Sequence, residues 1–98
     1  MWRHGDVLIG AIAAIPEGAR RRDTTVLMRG EITGHAHRIE TAKSAEVWEY
    51  AGQLFVKVVD DVARVVHEEH KPIALPRGTY RVWQQREYTP AAIRRVVD

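Results

Sequence analysis

Four of the five histidines fall in two short runs, Gly34-His35-Ala36-His37 and His67-Glu68-Glu69-His70. Imidazole nitrogens ligate metals and carry protons near neutral pH, so closely spaced pairs point first to metal binding. On an extended strand successive side chains alternate faces, and His35 and His37 therefore point the same way, with Ile39 beyond them. Such a pair offers two imidazoles to one ion. Glu31 and Thr33 share that face only if the strand passes unbroken through Gly34, and an interior glycine often marks a bulge or a close backbone approach.

His67 and His70 lie together on a helical turn but on opposite faces of a strand, so they converge only where the chain turns. Pro72 favours such a turn, because it disfavours the α region at Lys71. Two pairs from separate strands then complete a set of four, His35, His37, His67 and His70, or three histidines with Glu31, Glu68 or Glu69 as a carboxylate ligand. The expected cofactor is a divalent transition metal, and zinc, iron, nickel and copper all accept these ligands. Cysteine is absent, which excludes disulfides, thiolate metal sites and a cysteine nucleophile.

Other chemistry has no signature here. There is no glycine-rich phosphate loop and no His-Glu-x-x-His helix, and the single serine, Ser44, lies in a polar connection; ordinary hydrolases are disfavoured and no catalytic residue is named.

Short strands must position the histidines. Asp6-Val7-Leu8-Ile9 follows the turn-forming His4-Gly5 and reads as a buried strand, and Thr24 to Met28 reads as a second one after the polar, arginine-rich loop Ala19 to Asp23. Val47 to Tyr50 and Leu54 to Val59 flank Ala51-Gly52-Gln53 as the clearest hairpin. Asp60-Asp61 is expected to turn the chain before a strand from Val62 to Val66, which delivers His67. Pro72 and the expected turn Pro76-Arg77-Gly78 bracket a short apolar step, Ile73-Ala74-Leu75. A last strand alternates from Thr79 to Tyr88, and its polar end, Gln84 to Tyr88, suits an edge strand guarded by charge, a pocket wall or a subunit interface. Thr89-Pro90 then caps a short C-terminal helix with Ile93, Val96 and Val97 on one side. About seven short strands with turn signals every 8 to 12 residues or so predict an all-β fold, a small antiparallel β-barrel or sandwich closed by that helix.

The 98 residues, 45% of them hydrophobic, make one domain over residues 1–98, near the size at which burial becomes marginal. Three tryptophans and three tyrosines offer more apolar area than one sheet face covers, so a homo-oligomer or a partner protein is expected. No apolar run approaches the roughly 20 residues needed to span a bilayer and the start lacks a signal-peptide pattern, which predicts a soluble, cytoplasmic protein. The net charge of +2 and pI near 9.3 are mildly basic. Arg20, Arg21, Arg22 and Arg38 can contact phosphates, so three readings stay open: a metal-binding domain, an interaction or assembly module, and a nucleic-acid-binding accessory protein.

Gly34-His35-Ala36-His37 resembles the first motif of the cupin family, which carries His-x-His on a strand, and Pro76-Arg77-Gly78 is similar to that family's second motif. The resemblance implies a metal-binding β-barrel over about half the chain. Glu40 follows His37 sooner than the family's glutamate and no histidine follows Gly78, so the family's third and fourth ligands are not carried over. The combination of Gly-His-Ala-His, His-Glu-Glu-His and Gln85-Arg86-Glu87-Tyr88 also resembles small bacterial hypothetical proteins.

Overall fold

The computed structural model describes residues 1–30 and 34–85. Eight strands follow in order: β1 Trp2–His4, β2 Val7–Ala11, β3 Arg20–Arg22, β4 Val26–Arg29, β5 Ala36–Ile39, β6 Ala45–Tyr50, β7 Gln53–Val66 and β8 Ile73–Gln84, with one 3₁₀ turn at Ala42–Ser44. They form one sheet in the order β1-β2-β8-β7-β5-β4, with β6 also paired to β7 and β3 to β6. Every pairing is antiparallel. The fold is thus antiparallel β, but among the described residues β1 and β4 end the path without meeting, and the sheet does not close into the barrel expected from the sequence. No helix among them is long and apolar enough to cross a membrane. The predicted C-terminal helix from Pro90, the strand end Arg86 to Tyr88, and Glu31 and Thr33 lie outside the described residues.

The core follows from alternation. In β2 the buried residues are Val7 and Ile9, and in β6 they are Ala45 and Val47. With Ile39, Val56, Val65, Leu75 and Val82 they make one apolar cluster. Removing such side chains from water is the main stabilising term for a chain of this length. Trp2 packs its ring edge-on to Tyr80 with 5.4 Å between centroids, which ties β1 to the same core.

Three local expectations are corrected by tertiary pairing. The arginine run expected as a loop is strand β3, because Arg20, Arg21 and Arg22 lie opposite Glu49, Trp48 and Val47 of β6. Their guanidinium groups reach Glu49 at 3.6 Å, Glu46 at 3.5 Å and Glu49 at 3.0 Å. Asp60-Asp61 does not turn the chain either: β7 continues through it, with a bulge between Val58 and Val62. Opposite that bulge β8 runs straight through Pro76-Arg77-Gly78, since a proline without an N–H is tolerated where ladder bonds are already interrupted. Arg77 holds the bulge by donating to the Asp60 carbonyl at 3.3 Å and to Asp61 Oδ1 at 3.0 Å. The Tyr80 hydroxyl donates to the Pro76 carbonyl at 2.6 Å. The result is one long β7–β8 hairpin whose tip is the segment from His67 to Pro72.

Candidate metal site

Three chain segments converge at that hairpin tip. Strand β5 pairs with β7 through Arg38 opposite Val66 and Ile39 opposite Val65. Continuing this register by one residue sets His37 against His67, and their ring centroids are 4.4 Å apart. The turn into β8 brings His70 back, 4.6 Å from His67 and stacked on His37 at 5.6 Å. The third contributor is the β1–β2 hairpin, whose two-residue turn Gly5-Asp6 puts Gly5 at φ +64°, where a type II′ turn takes glycine. Gly5 has a second reason to lack a side chain: a Cβ there would lie 2.6 Å from His70 Nε2. This hairpin supplies His4, whose ring centroid is 4.9 Å from that of His37.

One ligand atom from each of His37, His67 and His70 lies within 4.8 Å of the others, close enough to hold a metal ion. A second set with the same spacing is His35, His67 and Glu68. Of the four histidines proposed from sequence, the structure groups His37, His67 and His70 in one set and places His35 in the other. His35 precedes β5 rather than lying within it, so strand alternation does not set its direction. A pocket of about 190 Å³ opens beside both sets, lined among others by Asp6, Arg29, Glu69 and Gln84.

Hydrogen bonding fixes the proton positions on His37. His4 Nε2 lies 3.0 Å from the Lys71 carbonyl oxygen, which can only accept, so that nitrogen carries a proton. Burial keeps His4 neutral by lowering its pKa, an effect the Lys71 carbonyl opposes and the His70 and His67 rings reinforce. A neutral ring protonated on Nε2 has a bare lone pair on Nδ1. His4 Nδ1 is 2.8 Å from His37 Nδ1, and His37 must therefore donate from Nδ1. What remains on His37 is an Nε2 lone pair, 3.6 Å from Asp6 Oδ1. Asp6 is itself held by the Gln84 side-chain amide, which donates to Oδ2 at 2.5 Å. A ligand ring whose other nitrogen is fixed by a neighbour is the usual construction of a metal-binding histidine. The Glu69 N–H donates to His67 Nδ1 at 3.0 Å, so a neutral His67 keeps its proton on Nε2 and must release this backbone bond or move that proton to ligate.

Electrostatics favour a neutral His37. His37 is 4% exposed, and desolvation first, then the neighbouring His67 and His4, lowers its pKa from 6.5 to about 4, with Asp6 partly opposing. Glu68 moves down to about 2, because it accepts from the Ala36 N–H and from Arg38. Both shifts have the same consequence for the metal-free protein. Between pH 6.5 and 4 the unfolded chain takes up a proton that folded His37 refuses, so stability is full above pH 6.5 and falls with pH across that window. The Glu68 contribution is full above its ordinary value of 4.5 and is lost as pH falls from there towards 2. Thermal melts in chelator are expected to show a falling Tm in two acid stages, with His37→Phe flattening the upper one; an unchanged upper stage in that variant would count against the assignment.

The sequence reading missed His4, which it took for a turn residue, and Asp6. The available signal was Trp2, which shares a strand face with His4 and packs on the core. The four arginines considered for phosphate contact all face carboxylates: Arg20 and Arg22 face Glu49, Arg21 faces Glu46, and Arg38 meets Glu68 at 2.8 Å.

A family model described as a domain of unknown function, DUF8820, matches residues 3–85. That span contains all five histidines. No curated protein and no solved structure matches the chain.

Proposed function

The chain belongs to the DUF8820 domain family, and we propose that the domain binds one divalent transition-metal ion through His37, His67 and His70. The observation that carries this reading is His37, a buried neutral imidazole whose Nδ1 proton is committed to His4 and whose Nε2 lone pair is left for a cation. Three nitrogens with a carboxylate nearby suit zinc, copper, nickel or iron better than calcium or magnesium, which prefer all-oxygen shells. Three protein ligands leave a coordination position open to a small molecule or water, the arrangement by which a metal polarises a substrate or activates water. Asp6, steadied by Gln84, is the carboxylate placed to accept a proton from a molecule bound there.

The test uses protein purified without a histidine tag, stripped with chelator and titrated with Zn²⁺ or Co²⁺. One ion per chain is expected, with a rise in Tm, because a ligand that binds only the folded state at 100 times its Kd adds about 2.7 kcal/mol. A His37→Ala/His70→Ala double variant is expected to lose both effects. Wild-type protein that takes up neither ion, or a double variant that binds as well as wild type, overturns the reading.

A further inference from the structure

We propose that His35, His67 and Glu68 form a second, outer cation position through which the ion is loaded onto, and withdrawn from, the His37–His67–His70 set. This inference rests on the metal reading above and concerns how the ion arrives. The two sets satisfy the same 4.8 Å spacing and have His67 in common. A neutral imidazole has a single lone pair, so His67 serves one ion at a time. The two positions are therefore alternatives for one ion and do not form a dinuclear centre. A ligand common to both lets His35 and Glu68 exchange for His37 and His70 while the ion stays attached throughout.

The chemistry of each set gives the direction of travel. Glu68 is 38% exposed and His70 is exposed too, whereas His37, the deepest ligand of the inner set, is buried, so a hydrated ion meets the carboxylate before it reaches His37. Glu68 is anchored for this, because Oε1 accepts from the Ala36 N–H at 3.0 Å and Oε2 from Arg38 at 2.8 Å. Each oxygen keeps a further lone pair for a cation. The same Arg38 guanidinium offsets the carboxylate charge, which makes the outer position a weak one. In the inner set the carboxylate beside His37, Asp6, accepts from the neutral Gln84 amide rather than from a guanidinium, and His4 fixes the ligand ring. An ion captured at Glu68 therefore gains by moving inward, and a chelator removes it by the reverse route.

Stopped-flow mixing of the metal-free protein with Co²⁺, and of the loaded protein with a chelator, separates rate from affinity. Glu68→Gln, which keeps the oxygen facing Ala36 N–H but removes the charge, is expected to slow loading and withdrawal alike by about tenfold, with little change in Kd and one ion per chain. Arg38→Gln, which frees the Glu68 charge, is expected to speed loading. Circular dichroism of both variants checks the fold. Unchanged rates in both variants, two ions bound per chain, or a Kd weakened in Glu68→Gln as much as in His70→Ala would each overturn the outer position while leaving the inner site standing. Absence of any Co²⁺ uptake by wild type would instead remove the metal reading itself.

Discussion

Replacing His4 by phenylalanine is expected to weaken metal binding by about 10- to 100-fold although His4 is not a ligand, the usual effect of removing a group that orients a metal-bound histidine. The reason lies in the proton chain Lys71 carbonyl, His4, His37. Without His4, nothing holds the proton of His37 on Nδ1, and the tautomer with the proton on Nε2, useless for binding from that nitrogen, competes. The replacement is apolar and of adequate size for a position 2% exposed, so the sheet is expected to remain folded. His4→Gln provides the rescue, since a carboxamide can accept from His37 Nδ1–H and donate to the Lys71 carbonyl. Nitrogen-15 NMR of the metal-free protein above pH 7 reads the tautomer directly. A proton on Nε2 of His37 in wild type, or a His4→Phe variant that binds Zn²⁺ with unchanged affinity, would contradict the relay.

The largest effect on stability is expected in the core just behind the hairpin tip. Leu75 is fully buried, pairs with Ala63 across β7–β8 and belongs to the cluster with Val7, Ile9, Val56 and Val65. Leu75→Ala removes buried methyl groups and leaves a cavity, at a cost of about 2–5 kcal/mol. For a chain of this length that corresponds to a fall in Tm of roughly 10 °C or more. Metal affinity measured well below the new Tm is expected to survive, because Leu75 belongs to the apolar cluster, which contains none of the ligand histidines. A shift of under a few degrees would mean that the β7–β8 core is looser than its burial implies.

Residue types and their order were enough to identify an antiparallel β protein, the hairpin around Ala51-Gly52 and the two histidine runs as candidate ligands. These depend on local physics: β-branched residues alternating with polar ones, glycine and proline at turns, and imidazoles at strand spacing. Where the local signals failed, a partner strand overrode them. Arg20-Arg21-Arg22 looks like a loop until strand β6 lies opposite and its Glu46 and Glu49 meet the guanidinium groups, and Asp60-Asp61 looks like a turn until Arg77 holds it as a bulge. Pro76 looks like a strand breaker until that bulge faces it. The site divides in the same way. His37, His67 and His70 are legible as candidates because each sits in a conspicuous run, but their convergence comes from the register that carries Val66 alongside Arg38. The separation of His35 into a second set with Glu68 comes from its place just before β5. His4 and Asp6 belong to the site only because a hairpin at the start of the chain folds against a turn more than sixty residues away, a juxtaposition that no local pattern encodes and that strand pairing alone creates.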